Sequence, residues 1–154
     1  MSNPHSQSSY QVRFDWGQAG AETISDGAHV LVWVDQLDGD DALVASSIDL
    51  MRVTMEEAAD VATTALRRQT ELGGRFVIAI AAAGAPRADG TLRFAVEDLL
   101  AAGAVIDALA AVGIDHQSPE AAAAASAYSG LKNATRHLIS ASATSRELRE
   151  SSGD

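Results

Sequence analysis

Cysteine is missing from this chain of 154 residues, which removes disulfides and thiolate metal sites from consideration. Lysine is nearly missing as well. Lys132 stands alone beside ten arginines and against 21 acidic residues, and the formal charge is −10. That balance argues against nucleic acid as a partner, because phosphate backbones demand clustered Lys and Arg. No apolar run approaches the roughly 20 residues that span a bilayer, and residues 1–9 lack the basic-then-apolar order of a signal peptide. The expectation is a cytoplasmic protein with no membrane partner. No Gly-x-Ser-x-Gly elbow, P-loop or Gly-x-Gly-x-x-Gly occurs, so nucleophilic-serine hydrolysis and the common nucleotide cradles have no support. The four histidines (5, 29, 116 and 137) show no metal-ligand spacing.

What the chain does have is alanine, 31 of them, and few aromatics at 5%. Such a core is built from small side chains, which lets helices pack closely. Hydrophobic content of 47% and charged content of 21% suit one globular domain of ordinary composition. Residues 1–9 read as a disordered tail, 10–148 as a single α/β domain and 149–154 as a flexible tail.

The periodicity alternates between strand and helix. Residues 11–16 alternate apolar and polar, which suits a half-buried strand at a sheet edge, and residues 17–25 read as a short helix. Residues 29–37 are a β-branched apolar run of the central-strand type, and 42–47 read as a third strand. Thr54 followed three residues later by Glu57 is a capping box that opens a helix to Leu72, closed by Gly73. Residues 75–82 form another buried strand, and residues 95–112 a helix with one apolar stripe. Ser118-Pro119 begins a further helix, with a break expected at Ser129-Gly130 before 131–140 and a last turn at 144–150. The fold class is therefore α/β: a layered sheet of four to five strands, mixed or mostly parallel, flanked by helices, with a helical C-terminal part.

Carboxylates collect at the ends of strands and the starts of helices. In open α/β sheets ligands bind beyond the carboxyl ends of the strands. Asp35 lies there, and Glu97 and Asp98 open the helix after the next strand. Magnesium takes one or two carboxylates plus waters and substrate phosphate, which makes these three acids candidate ligands. Acids in a first helical turn also satisfy the macrodipole with no further role, and the Asp38, Asp40, Asp41 cluster reads as a solvated turn. Arg93 is a candidate anion contact through its two-pronged guanidinium; a salt bridge to Glu97 is the alternative.

Three segments carry a resemblance. They are residues 12–17 (Val-Arg-Phe-Asp-Trp-Gly), the strand ending in Asp35, and above all Gly84 to Gly103. That last stretch contains Asp-Gly-Thr-Leu-Arg at 89–93 and Glu-Asp-Leu-Leu-Ala-Ala-Gly-Ala at 97–104. In these the chain resembles the 2-phosphosulfolactate phosphatase family. The resemblance implies a Mg²⁺-dependent phosphatase acting on a small-molecule phosphorylated, anionic substrate, with Asp35 and Asp98 catalytic, Arg93 binding substrate, and Asp35, Glu97 and Asp98 at the metal. The chain departs from the family after Asp35, where Asp38, Asp40 and Asp41 replace an arginine and a threonine pair, and at Ala85, where the family has Glu. The alternative is a catalytically inactive member serving as a binding or oligomerisation module, with an exposed strand edge that invites a homodimer.

Overall fold

Four short strands rich in Val, Ile and Ala lie side by side: β1 (Val12–Trp16), β2 (Val30–Val34), β3 (Asp49–Val53) and β4 (Ile78–Ala82). The computed structural model describes residues 3–37 and 44–153. Its main sheet is all-parallel, in the order β1-β4-β2-β3. Ile80 sits opposite Phe14 on one side and Val32 on the other, and Val32 opposite Met51. Parallel strands need long crossovers, and two of the connections are helical: α1 (Gly17–Ile24) between β1 and β2, and α2 (Ala58–Leu72) between β3 and β4. A two-stranded antiparallel hairpin, β5 (Ala85–Pro86) with β6 (Leu92–Arg93), precedes α3 (Val96–Ala111). The chain finishes in helices α4 (Pro119–Leu131), α5 (Thr135–Ser140) and α6 (Ala143–Gly153). The α/β class with a helical C-terminal part is thus the observed one.

Strand residues alternate between two cores, as the pleat requires. Val12, Phe14, Val30, Val32, Ile78 and Ile80 face α2, α3 and α4 in the larger core. Leu31, Trp33, Val77, Ala79 and Ala81 pack with Ala21 and Ile24 of α1, and with Ala28 just beyond it, in the smaller one. The central strands β2 and β4 are consequently buried at every position, as their unbroken apolar runs anticipate.

Several expectations are corrected. The third strand is Asp49–Val53 rather than 42–47. Residues 42 and 43 lie outside the described residues, and beyond them Val44 and Ile48 pack on the smaller core. The Ser46 hydroxyl bends the chain there, donating to the Ile48 carbonyl at 2.7 Å. In β1 the alternation misleads, because Arg13 is only 3% exposed. Its guanidinium donates to the carbonyls of Tyr10, Ile24, Asp26 and Ser8, so burial is matched by hydrogen bonds. Helix α4 runs through Ser129-Gly130, and the break comes at a 3-10 turn, Lys132–Ala134. Helix α3 is buried around most of its girth rather than along one stripe. The segment expected as an N-terminal tail forms a 3-10 turn at Pro4–Ser6 followed by the buried Gln7, and residues 149–153 belong to α6.

Candidate functional site

All four parallel strands deliver the chain to one edge, which is where α/β sheets gather ligands. Strand β2 runs out into Asp35 and Gln36, and β4 into Ala83 and Gly84. The hairpin then folds back over Gly84, which takes φ +70°; a Cβ there would stand 2.7 Å from Leu92 Cδ1 and 2.9 Å from the Arg93 carbonyl. Only glycine meets both demands. Helix α3 begins just beyond, with Glu97 and Asp98 in its first turn.

Asp98 ties the two central strand ends together. The Gln36 N–H donates to its Oδ1 at 2.8 Å and the Gly84 N–H to its Oδ2 at 2.9 Å. The side chain is 1% exposed, with Glu97 at 2% and Asp35 at 9%. Burial dominates its titration and pushes the pKa up to about 8, with Asp35 and Glu97 adding to the rise. The two backbone N–H groups, which favour the anion, fail to offset it. The three candidate acids therefore share one electrostatic environment. Glu97 and Asp98 are not the solvated first-turn acids that a macrodipole reading alone describes.

Asp35 lines a cavity of about 260 Å³ with Trp33, Gly84, Pro86 and Leu92. Trp33 is a residue that sequence reasoning missed; its indole Nε1 is buried with no hydrogen-bond partner. Gln36 and Gly84 were missed too, since a backbone N–H leaves no mark in side-chain patterns. Arg93 lies opposite Ala85 in the hairpin, half-buried. Among the described residues the ion pairs are Arg67–Glu71 and Arg68–Asp49, so the alternative Arg93–Glu97 bridge does not form. Asp38, Asp40 and Asp41 lie outside the described residues.

Among the described residues no group of three or more His, Asp and Glu is arranged to hold a metal ion. The donor chemistry of the carboxyl edge nevertheless fits a hard cation. It offers carboxylate oxygens, and magnesium needs only one or two of them alongside water. Of the three acids Asp35 opens to a cavity, whereas both Asp98 oxygens already accept backbone N–H groups. The remaining candidates have local roles. The Asp15 Oδ1 accepts the Trp16 N–H at 2.7 Å. The His29 Nδ1 accepts the Val77 N–H at 2.9 Å, and its ring stacks on Phe76. No helix is long and apolar enough to cross a membrane among the described residues.

Neither a known protein family nor any curated protein matches this chain.

Proposed function

We propose that the carboxyl edge of the sheet is a cation-assisted phosphate-ester site, and that the chain is a magnesium-dependent phosphoric monoester hydrolase for a small anionic substrate. The resemblance to 2-phosphosulfolactate phosphatases names the reaction. The observation that supports the site is the crowding of Asp35, Glu97 and Asp98, felt in an Asp98 pKa of about 8. Buried acids that repel one another are relieved by a bound cation, and such perturbed groups cluster where ligands are handled.

In this reading Asp35 would hold Mg²⁺ from the cavity side, Asp98 would be the second ligand, and Glu97 would contribute charge. The ion, when bound, neutralises phosphoryl oxygens. Arg93 would fork onto the remaining anionic group of the substrate, and Trp33 and Leu92 wall the cavity against water. Asp98 also keeps the two strand ends in register, so the metal edge and the fold depend on one carboxylate.

A second reading, an inactive binding module on the same scaffold, is favoured by one observation. Both Asp98 oxygens are committed to backbone N–H groups, as in a purely structural bracket. Phosphate release from 2-phosphosulfolactate, with and without Mg²⁺, decides between them. Hydrolysis is expected to require Mg²⁺ and to fall at least about 100-fold in Asp35→Asn. Absence of Mg²⁺-dependent turnover in the folded protein, together with no heat of Mg²⁺ binding, would overturn the hydrolase reading.

A further inference from the structure

Seven aromatic residues (three Phe, two Trp, two Tyr) serve the whole chain, and three of them surround a cavity separate from the one that Asp35 lines. Phe14, Trp16 and Phe94 enclose about 290 Å³ together with Leu99, Ala123 and Glu120. Phe14 is its buried floor. Trp16 meets Phe14 edge-on, with ring centroids 5.8 Å apart and planes at 72°. Phe94 leans on Trp16 at 5.4 Å and 44°, so the two rings form a wedge rather than a closed stack. Phe94 is 60% exposed, more than any other large apolar side chain among the described residues.

Among the described residues no Lys or Arg lines this cavity. Asp15 contributes to the lining, but its carboxylate accepts the Trp16 N–H and packs over Gly20. Glu120, exposed in the first turn of α4 and in no ion pair among the described residues, is the acid left at the cavity. Aromatic faces attract cations through their quadrupole, Trp most strongly. The net charge of −10 draws cations toward the surface. The volume lies just below the usual range for drug-sized ligands, about 300–1,000 Å³, and so suits a single small headgroup.

We infer that this cavity binds a small organic ammonium group, of the quaternary or methylated-amine class, against the cavity-facing sides of the touching Trp16 and Phe94 rings with Glu120 as counter-charge. The inference does not depend on the phosphatase reading, since none of the proposed metal or substrate residues lines this cavity.

Choline and its uncharged isostere 3,3-dimethylbutan-1-ol test it, titrated into the full chain by calorimetry and tryptophan fluorescence. Choline is expected to saturate with a dissociation constant on the order of 1 mM and to bind about tenfold more tightly than the isostere. Phe94→Leu keeps an apolar lip and removes a ring face. It should weaken choline about three- to tenfold and leave the isostere unchanged, with the melting temperature of the protein unaltered because Phe94 is exposed. Glu120→Gln should weaken choline alone. Equal affinity for the two probes, no change of choline affinity in Phe94→Leu, or no saturation below about 50 mM would overturn the assignment.

Discussion

Asp98 stands at the N-terminus of a helix, a position that ordinarily favours a carboxylate, and it accepts two backbone N–H groups besides. Its pKa nevertheless moves upward, because burial and the neighbouring Asp35 and Glu97 outweigh both effects. The native state consequently holds this proton more tightly than the unfolded chain, where the carboxyl titrates near 3.8. The group favours the fold most below pH 4, and the advantage is lost as pH rises toward 8. Thermal melts at pH 5.5 and 8.5 should show the native protein losing more stability over that interval than Asp98→Asn. The variant removes the titration, and its amide oxygen accepts only one of the two N–H groups. At pH 5.5 it is expected to be less stable than the native protein by about 1–3 kcal/mol. Equal pH dependence of the two proteins would show that Asp98 does not titrate in this range. The position of Asp98 at a helix start was legible in the sequence, from the strand-turn-helix order around it. Its burial was not, because that depends on the hairpin β5–β6 and on two strand ends that approach from elsewhere in the chain.

Among the elements, α3 and α4 make the closest pairing, and the reason is Gly103. A Cβ on this residue would collide with the Ala124 carbonyl oxygen and stand 2.7 Å from Tyr128 Cβ. The helices meet backbone to backbone there. Gly103→Ala should therefore destabilise the protein by at least about 1–3 kcal/mol in chemical denaturation, the opposite of what its better helix propensity would give. Ser118 is a second element-scale determinant. Its hydroxyl accepts the Ala121 N–H at 3.0 Å to cap α4, and its own N–H donates to the Val12 carbonyl at 2.9 Å, anchoring the helix start to β1. Ser118→Ala removes the cap from a fully buried position and is expected to cost about 1–2 kcal/mol, measured the same way. Both the cap and the alanine-rich helix could be read from residues 118–127. The continuation of α4 through Gly130 could not, since glycine's local cost as a helix breaker is small beside the packing of the helix on α3.

For the molecule as a whole the question is how an open parallel sheet protects its two edges. On β3 the outer edge carries Asp49, held by Arg68 at 3.1 Å, so charge guards it. On β1 the protection is a side chain acting as a strand. Gln7 accepts the Phe14 N–H at 2.9 Å and donates to the Phe14 carbonyl at 2.8 Å. Residues 116–118 complete the cover through a bridge between Val12 and Gln117. The β1 edge is thus occupied by the chain itself along part of its length. Gln7→Glu keeps the acceptor but sets a carboxylate against the Phe14 carbonyl. It should raise concentration-dependent self-association in sedimentation velocity, and unchanged sedimentation would show that β1 is protected without Gln7. The α/β class, the buried central strands, the capping box at Thr54 and the helix start at Ser118 were all determined by sequence, because local periodicity and capping chemistry act within a few residues of one another. Tertiary structure alone decided which strand follows Asp35, why Arg13 is buried, how three acids come to share one environment and how Phe14, Trp16 and Phe94 come to share a cavity. Each of those rests on contacts between residues distant in the chain, whose hydrogen-bond partners and dielectric surroundings exist only once the sheet and its helices have closed together.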